Sequence, residues 1–327
     1  MKRFLAAAAL LAVIAALWSW YAVGGDRALP AASTTVVIER GDTLSDATAR
    51  LRAAGVLAQP LAFRLWARVR GADGEIRSGA YRFPANQSAD EILRRLVEGR
   101  AEAVWVTIPE GFTVAEIARR LGERHLADAA AFERFARSTG IVLDGRVTPS
   151  LEGYLFPSTY LVPIGANPAT EARIFSDQFL RELPPDASNR ARALKLTIPE
   201  VITVASLVER EAKADDERAL MAGVYYNRLR AGMPLQVDAT IEYVFPNHHT
   251  VITGRDLRLD SPYNTYRHTG LPPTPIANPG APSIDAAFAP RHSSYLYYVY
   301  RGNGHHAFAK TLEEHNANVE RYLDHKE

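Results

Sequence analysis

Cysteine is absent from all 327 residues, so disulfides, thiolate metal sites and cysteine nucleophiles are excluded. An excess of either charge is missing too. The 38 lysines and arginines balance 37 aspartates and glutamates to a formal net charge of +1, leaving no basic surplus to neutralise a nucleic-acid backbone. Nucleotide and metal signatures are equally lacking. There is no phosphate loop, dinucleotide fingerprint or His-Glu-x-x-His spacing, and the neighbours in His248-His249 and His305-His306 point apart on a strand or loop. Neither a metal nor another cofactor is expected.

What is present is ordinary for a globular protein, with 47% hydrophobic and 23% charged residues and enough length for two domains. The N-terminus departs from that average. Met1, Lys2 and Arg3 precede an uncharged apolar run over residues 4–23, which as a helix spans about 30 Å, the thickness of a bilayer core. Trp18, Trp20 and Tyr21 gather at its far end, where amphipathic rings prefer the interface. Basic residues stay in the cytoplasm, so the pattern predicts a single-pass anchor over residues 1–24 with the body outside the cytoplasm. A cleaved signal peptide ending near Ala22 and Gly24 is the rival reading, against which the length of the run weighs. Residues 25–34, with Gly25 and Pro30, read as a linker.

Two stretches of the body resemble each other. Ile38, Gly41, Thr43 and Leu51 align with Ile108, Gly111, Thr113 and Leu121, and each set predicts a short strand, a glycine turn and a helix capped at threonine, followed by a second amphipathic helix. Between them, residues 79–83 read as a strand and residues 88–97 as a helix capped by Ser88 with Asp90 and Glu91 in its first turn. Strand–Gly–x–Thr–helix units of this kind resemble LysM modules, which bind peptidoglycan glycan strands. Further on, helices are expected over residues 129–141, 167–183 and 312–322, and a strand over residues 295–300; the aromatic segment from Ser150 to Tyr160 is too irregular for a helix.

The segment richest in chemistry runs from Pro199 to Lys213. It predicts a helix that carries Glu209 and Glu211. The two glutamates lie two positions apart and so point in nearly opposite directions. Val201, Val204, Ala205 and Val208 mark an apolar stripe, with Glu211 beside it, where desolvation raises the proton affinity of a carboxylate. Pairing of both glutamates with Arg210 or Lys213 on a solvated face is the plain alternative. Downstream, Gln236, Asp238 and Thr240, then Tyr263, Asn264, Thr265 and Tyr266, supply hydrogen-bonding groups and aromatic faces suited to a sugar.

Several ordered motifs together look like the endolytic murein transglycosylase (MltG, YceG-like) family. They are Val-Ala-Ser-Leu-Val-Glu-Arg-Glu-Ala ending at Ala212, Asn-Arg-Leu at 227–229, Met-Pro-Leu-Gln-x-Asp-x-Thr at 233–240, Tyr-Asn-Thr-Tyr at 263–266 and the Pro-rich run of residues 270–280. Glu-Gly-Tyr-Leu-Phe-Pro at 152–157 and Glu-His-Asn at 314–316 join them. Ser158 stands where aspartate is common and Ala239 where proline is usual; neither departure is expected to touch the glutamate. The resemblance implies an α+β architecture, with a LysM-like α+β domain over residues 35–148 and a larger mixed α/β catalytic domain over 149–327. It implies a lytic cut of the β-1,4 bond between N-acetylmuramic acid and N-acetylglucosamine, leaving 1,6-anhydro ends, with Glu211 as general acid and base. Gln236, Asp238, Thr240, Tyr263, Asn264, Thr265 and Tyr266 are then the expected groove lining, peptidoglycan the substrate, the bacterial inner membrane the location and wall-synthesis enzymes the partners. A non-catalytic glycan-binding scaffold and a water-using muramidase, with Asp238 as its second carboxylate, are the alternatives.

Overall fold

A computed structural model describes residues 33–85, 87–245 and 252–323, together with Ala15. The expected anchor and linker therefore lie almost wholly outside the described residues, as do His248 and His249. Among the described residues no helix is long and apolar enough to cross a membrane, and no cluster of side chains is arranged to hold a metal.

The fold is mixed α+β and divides into two compact units. The first comprises the described residues up to Val106 together with Thr159–Ala166; the second comprises Thr107–Ser158 and Asn167–Glu327. In the first unit, strands Thr34–Ile38, Gly79–Phe83, Ala103–Thr107 and Thr159–Pro163 lie in that order in one sheet. Thr34–Ile38 runs antiparallel to Gly79–Phe83, with Val36 opposite Tyr81. Helices Leu44–Ala53, Pro60–Val69 and Ala89–Glu98 bury Leu51, Phe63, Ile92 and Leu96 with Ile38, Tyr81 and Phe83 in its core.

Helix starts follow their sequence signals closely. Thr43 with Asp46, Ser88 with Glu91, Thr113 with Glu116 and Thr197 with Glu200 each form a reciprocal capping box, in which side chain and backbone satisfy one another's donors. The two repeated stretches share this local structure: Gly41 and Gly111 both adopt positive φ, 86° and 74°, before the capping threonine. The copies nonetheless belong to different units. The second begins the larger unit because residues distant in sequence hold it there. The Glu152 carboxylate accepts the Val114 N–H at 3.0 Å, and Asn278 exchanges backbone bonds with Gly111 and Phe112. The two compact units thus divide at residue 106 and again at 158 and 166.

The second unit is built around helix Ile198–Glu211. Residues 201–208 are buried on every side, so the helix has no single apolar stripe. Helices Asp215–Arg230, Ala281–Phe288, Ala187–Ala193 and Asp238–Val244 pack around it. Its two interior hydroxyls are satisfied locally: Thr203 bonds the Pro199 carbonyl, and Ser206 bonds the Thr203 carbonyl while accepting the Ile276 N–H. That last bond ties down the Pro-rich segment. Gly153, at φ 90°, lies so close to Pro275 that an added Cβ would stand 2.4 Å from it, which explains the glycine after Glu152.

Glu171, on helix Pro168–Glu182, is 0% exposed, and neither carboxyl oxygen has a partner among the described residues. Burial pushes its pKa up to about 7. The folded state therefore holds this proton more tightly than the unfolded chain does. Holding back ionisation adds no penalty below about pH 4.5, and stability is lost as pH rises from there through about 7. Replacing Glu171 by Met should raise unfolding stability by about 2–3 kcal/mol at pH 8 and by much less at pH 4.5. Urea unfolding of both proteins at the two pH values measures this; an equal gain at both would disprove the titration.

Candidate active site

Glu211 is the last residue of its helix, where the chain turns into extended backbone at Ala212. The capping box at Thr197 sets the start of the helix and the buried apolar run sets its depth, so the terminal carboxyl emerges at a wall of the unit. Two clefts, of 450 and 340 Å³, share Glu211, Asp238, Tyr300 and His306 in their linings. Glu211 stands where they meet.

Burial is the main influence on this carboxyl, and the negative charge of Asp238 adds to it; together they hold the proton up to about 7. Hydrogen bonds from the Ala239 N–H and the Tyr298 hydroxyl work the other way, so position 239, expected to leave the glutamate untouched, in fact supplies a donor that the usual proline would lack. Tyr298 donates to Glu211 Oε2 at 3.3 Å and lies 2.9 Å from the hydroxyl of the buried Tyr225. Both phenols are driven well above their usual range, by burial first and by Glu211 second, so they stay neutral. Tyr266 donates to Asp238 Oδ1.

Glu209 has a different environment. Its side chain is only 6% exposed, and Oε2 accepts the Gly280 N–H at 3.0 Å beside the Arg218 guanidinium at 3.5 Å. It anchors the start of helix Ala281–Phe288. Arg210 turns instead to Glu242, at 3.0 Å. A further cavity, 640 Å³, is lined by Gly223, Tyr226, Asn227 and Arg230 of helix Asp215–Arg230, and no carboxyl group faces it. It lacks an acid, whereas the clefts at Glu211 hold one.

A model of the YceG-like family matches residues 36–321. The chain belongs to the YceG-like family. A Bacillus subtilis (strain 168) relative, named endolytic murein transglycosylase, is 31% identical over 313 residues, covering 90% of this chain and 86% of its own length. A Streptococcus pneumoniae (D39) protein of the same name is 29% identical over 328 residues; the match takes in 89% of this chain but only 59% of that longer protein. A crystal structure of a yceG-like protein from Listeria monocytogenes superposes with a TM-score of 0.60 at 29% identity, covering 88% of this chain and 99% of the other.

In this YceG-like chain the expected groove residues separate into two groups. Gln236, Asp238 and Tyr266 line the cleft with Glu211. Thr240, Asn264 and Thr265 are buried and bonded internally. Thr240 Oγ1 donates to the Val237 carbonyl, Thr265 Oγ1 accepts the Val237 N–H, and Asn264 Nδ2 donates to the carbonyls of Leu257 and Leu259. Tyr263 packs on Tyr243 and bonds Thr274, away from both clefts. These four shape the loop that presents Gln236 and Tyr266. Tyr298, Tyr300, His306, His315 and Arg228 line the site without having been singled out for it. One signal for two of them was available: Tyr298 and Tyr300 are two apart on strand Tyr297–Gly302 and so share a face.

Proposed function

We propose that this chain is a peptidoglycan lytic transglycosylase that cuts within glycan strands, with Glu211 as its acid. The observation that carries the proposal is the state of that carboxyl: protonated up to about 7, bonded to a neutral tyrosine and placed where two clefts meet. The names of the relatives in the YceG-like family support the substrate class. Glu211 gives its proton to the glycosidic oxygen between N-acetylmuramic acid and N-acetylglucosamine. As that bond opens, the 6-hydroxyl of the muramoyl sugar closes on the anomeric carbon, and its proton passes to the now ionised carboxylate. An internal nucleophile is already at high effective concentration, so no second carboxylate is required to activate water. Clefts on both sides of Glu211 suit a strand that continues in both directions, and Tyr266 and Tyr300 offer faces to its rings.

The apolar run of residues 4–23 supports a single-pass inner-membrane anchor, with the body held on the periplasmic side near newly made strands and the enzymes that make them. The capped strand–Gly–x–Thr–helix repeat supports a LysM-like contribution to glycan binding.

The full chain, incubated with purified uncrosslinked glycan strands, should release fragments ending in 1,6-anhydro-muramoyl residues by mass spectrometry. Reducing ends would indicate a muramidase, with Asp238 the near carboxylate, and binding without cleavage would indicate a scaffold. Because the acid must carry its proton, cleavage should fall as pH rises through about 7. Asp238→Asn removes the charge that helps retain the proton, so the fall should begin at lower pH. Tyr298→Phe removes a donor that favours the ionised form, so it should begin at higher pH. Shifts in the same direction would contradict this account of Glu211.

A further inference from the structure

His306 shares both clefts with Glu211, and the one-glutamate scheme leaves it idle. It is the second residue of strand His305–Ala309, opposite Tyr300 in the hairpin with Tyr297–Gly302. Its side chain is only 5% exposed, yet it lines both clefts along with Glu211. Nδ1 lies 2.9 Å from Glu217 Oε2, and the His306 backbone N–H donates to both carboxylate oxygens of Glu217 at 3.0 Å. Glu217 is buried on helix Asp215–Arg230. A carboxylate can only accept here, so it fixes the imidazole proton on Nδ1 and leaves the Nε2 lone pair for the cleft. Tyr298 ties this pair to the acid: its hydroxyl bonds Glu211 and its ring meets the His306 ring edge-on, centroids 5.6 Å apart. Tyr300 meets the same ring from its own side at 5.6 Å. Besides Glu211, the charged groups of the larger cleft are Glu110, Glu209, Arg210, Lys213, Asp238 and Glu242, and Arg228 lines the smaller.

We infer that His306 is a second catalytic residue, the base that takes the proton of the attacking sugar hydroxyl, and that Glu217 positions it. The inference rests on the lytic transglycosylase reading above and changes its second half. A single carboxyl can accept a proton only after it has given one away, so the hydroxyl must wait for the glycosidic bond to break. With a neutral imidazole in place from the start, both transfers proceed together. The O6–H bond breaks and its proton goes to Nε2; the electron pair of O6 forms the new bond to the anomeric carbon. The bond from that carbon to the glycosidic oxygen breaks, and the departing oxygen takes the Glu211 proton. The site ends with imidazolium and carboxylate, and proton exchange with solvent resets both.

A structural role has to be distinguished, because the same contacts also fasten the hairpin to the helix. The decisive experiment uses full-length His306→Ala and His306→Gln on uncrosslinked glycan, with anhydro ends counted by mass spectrometry. We expect kcat to fall about 10²–10⁴-fold in both variants with KM within about threefold. Added imidazole should restore His306→Ala at least tenfold, in proportion to its concentration, and leave His306→Gln unaffected. Rescue by a diffusing base is a result that a mere clamp cannot give. Retention of kcat in His306→Gln would overturn the inference, as would a loss in His306→Ala accompanied by a lowered Tm and no rescue. Should His306→Ala not fold, His306→Gln at unchanged Tm decides alone: lost kcat supports the base, retained kcat refutes it. If the unmodified chain makes no anhydro ends, the lytic reading itself fails, which is separate from any result on the variants.

Discussion

Glu211→Gln should abolish the release of anhydro-muramoyl ends, lowering kcat by at least about 10³-fold, while the protein still folds and still binds glycan. The amide has the shape of the carboxyl and can still accept from Tyr298, so the clefts keep their form. What it lacks is a proton acidic enough to pass to the glycosidic oxygen. General acid catalysis is worth about 10²–10⁴-fold, and here the same group also faces the charge that develops as the bond opens. The folded protein should not suffer. Burial already makes an ionised Glu211 unfavourable, so a neutral replacement costs little and removes a penalty above pH 7. Glu209→Gln is the matched control. It removes half of a buried ion pair with Arg218 and weakens the hold on Gly280, so it should lower stability by about 1–3 kcal/mol while leaving the chemical step within about tenfold of the unmodified rate. Activity by mass spectrometry and stability by urea unfolding should thus move in opposite ways for two glutamates on one turn of helix. Equal loss of cleavage in both would remove the case for Glu211 as the particular acid.

The contrast between these glutamates shows what sequence periodicity resolves and what it does not. Opposite directions for positions two apart follow from helical geometry and hold here. Choosing Glu211 by its closeness to an apolar stripe does not follow in the same way, because residues 201–208 are buried all round and the Glu209 side chain is itself only 6% exposed. What separates the two is their partners, contributed by Gly280, Arg218, Asp238 and Tyr298, far along the chain. Local elements were legible for a related reason. A capping box or a glycine at positive φ is decided within about four residues, so helix starts at Thr43, Ser88, Thr113 and Thr197 can be read directly. The groove could not be read so directly. Polar residue types in 233–240 and 263–266 suggest sugar contacts, but only the packed loop shows that Thr240 and Thr265 bond one another while Tyr266 reaches Asp238. The anchors of the second repeat were hidden for the same reason, since Glu152 and Asn278 are 38 and 166 positions from their partners Val114 and Phe112.

Arg228→Met should be among the most destabilising single changes in the second unit, at about 3–5 kcal/mol, and should carry cleavage down with it. The guanidinium is 6% exposed and joins three segments. Nε donates to the Leu296 carbonyl at 2.6 Å, while Nη1 reaches the Leu235 carbonyl at 2.8 Å, the Pro234 carbonyl at 3.1 Å and Gln236 Oε1 at 3.2 Å. It also lies over the Tyr297 ring, 5.2 Å from its centroid. Methionine fills much of the same volume but leaves several buried acceptors without a donor, each costing about 1–3 kcal/mol. The consequences reach the site through the backbone. Leu296 lies two residues before Tyr298, whose hydroxyl touches Glu211, and Gln236, at φ 53°, lies two residues before Asp238. Loosening both segments displaces groups on either side of the acid. Arg228→Lys distinguishes the fork from the charge. A lysine keeps the cation, but its ammonium cannot reach the Leu296 carbonyl and the 234–236 loop in the same planar geometry, so it should recover no more than about half of the lost stability. Urea unfolding of the three proteins, with anhydro-end release assayed beside it, tests both parts. A lysine variant as stable as the unmodified chain would mean that positive charge alone holds these segments, and that the planar contacts contribute little.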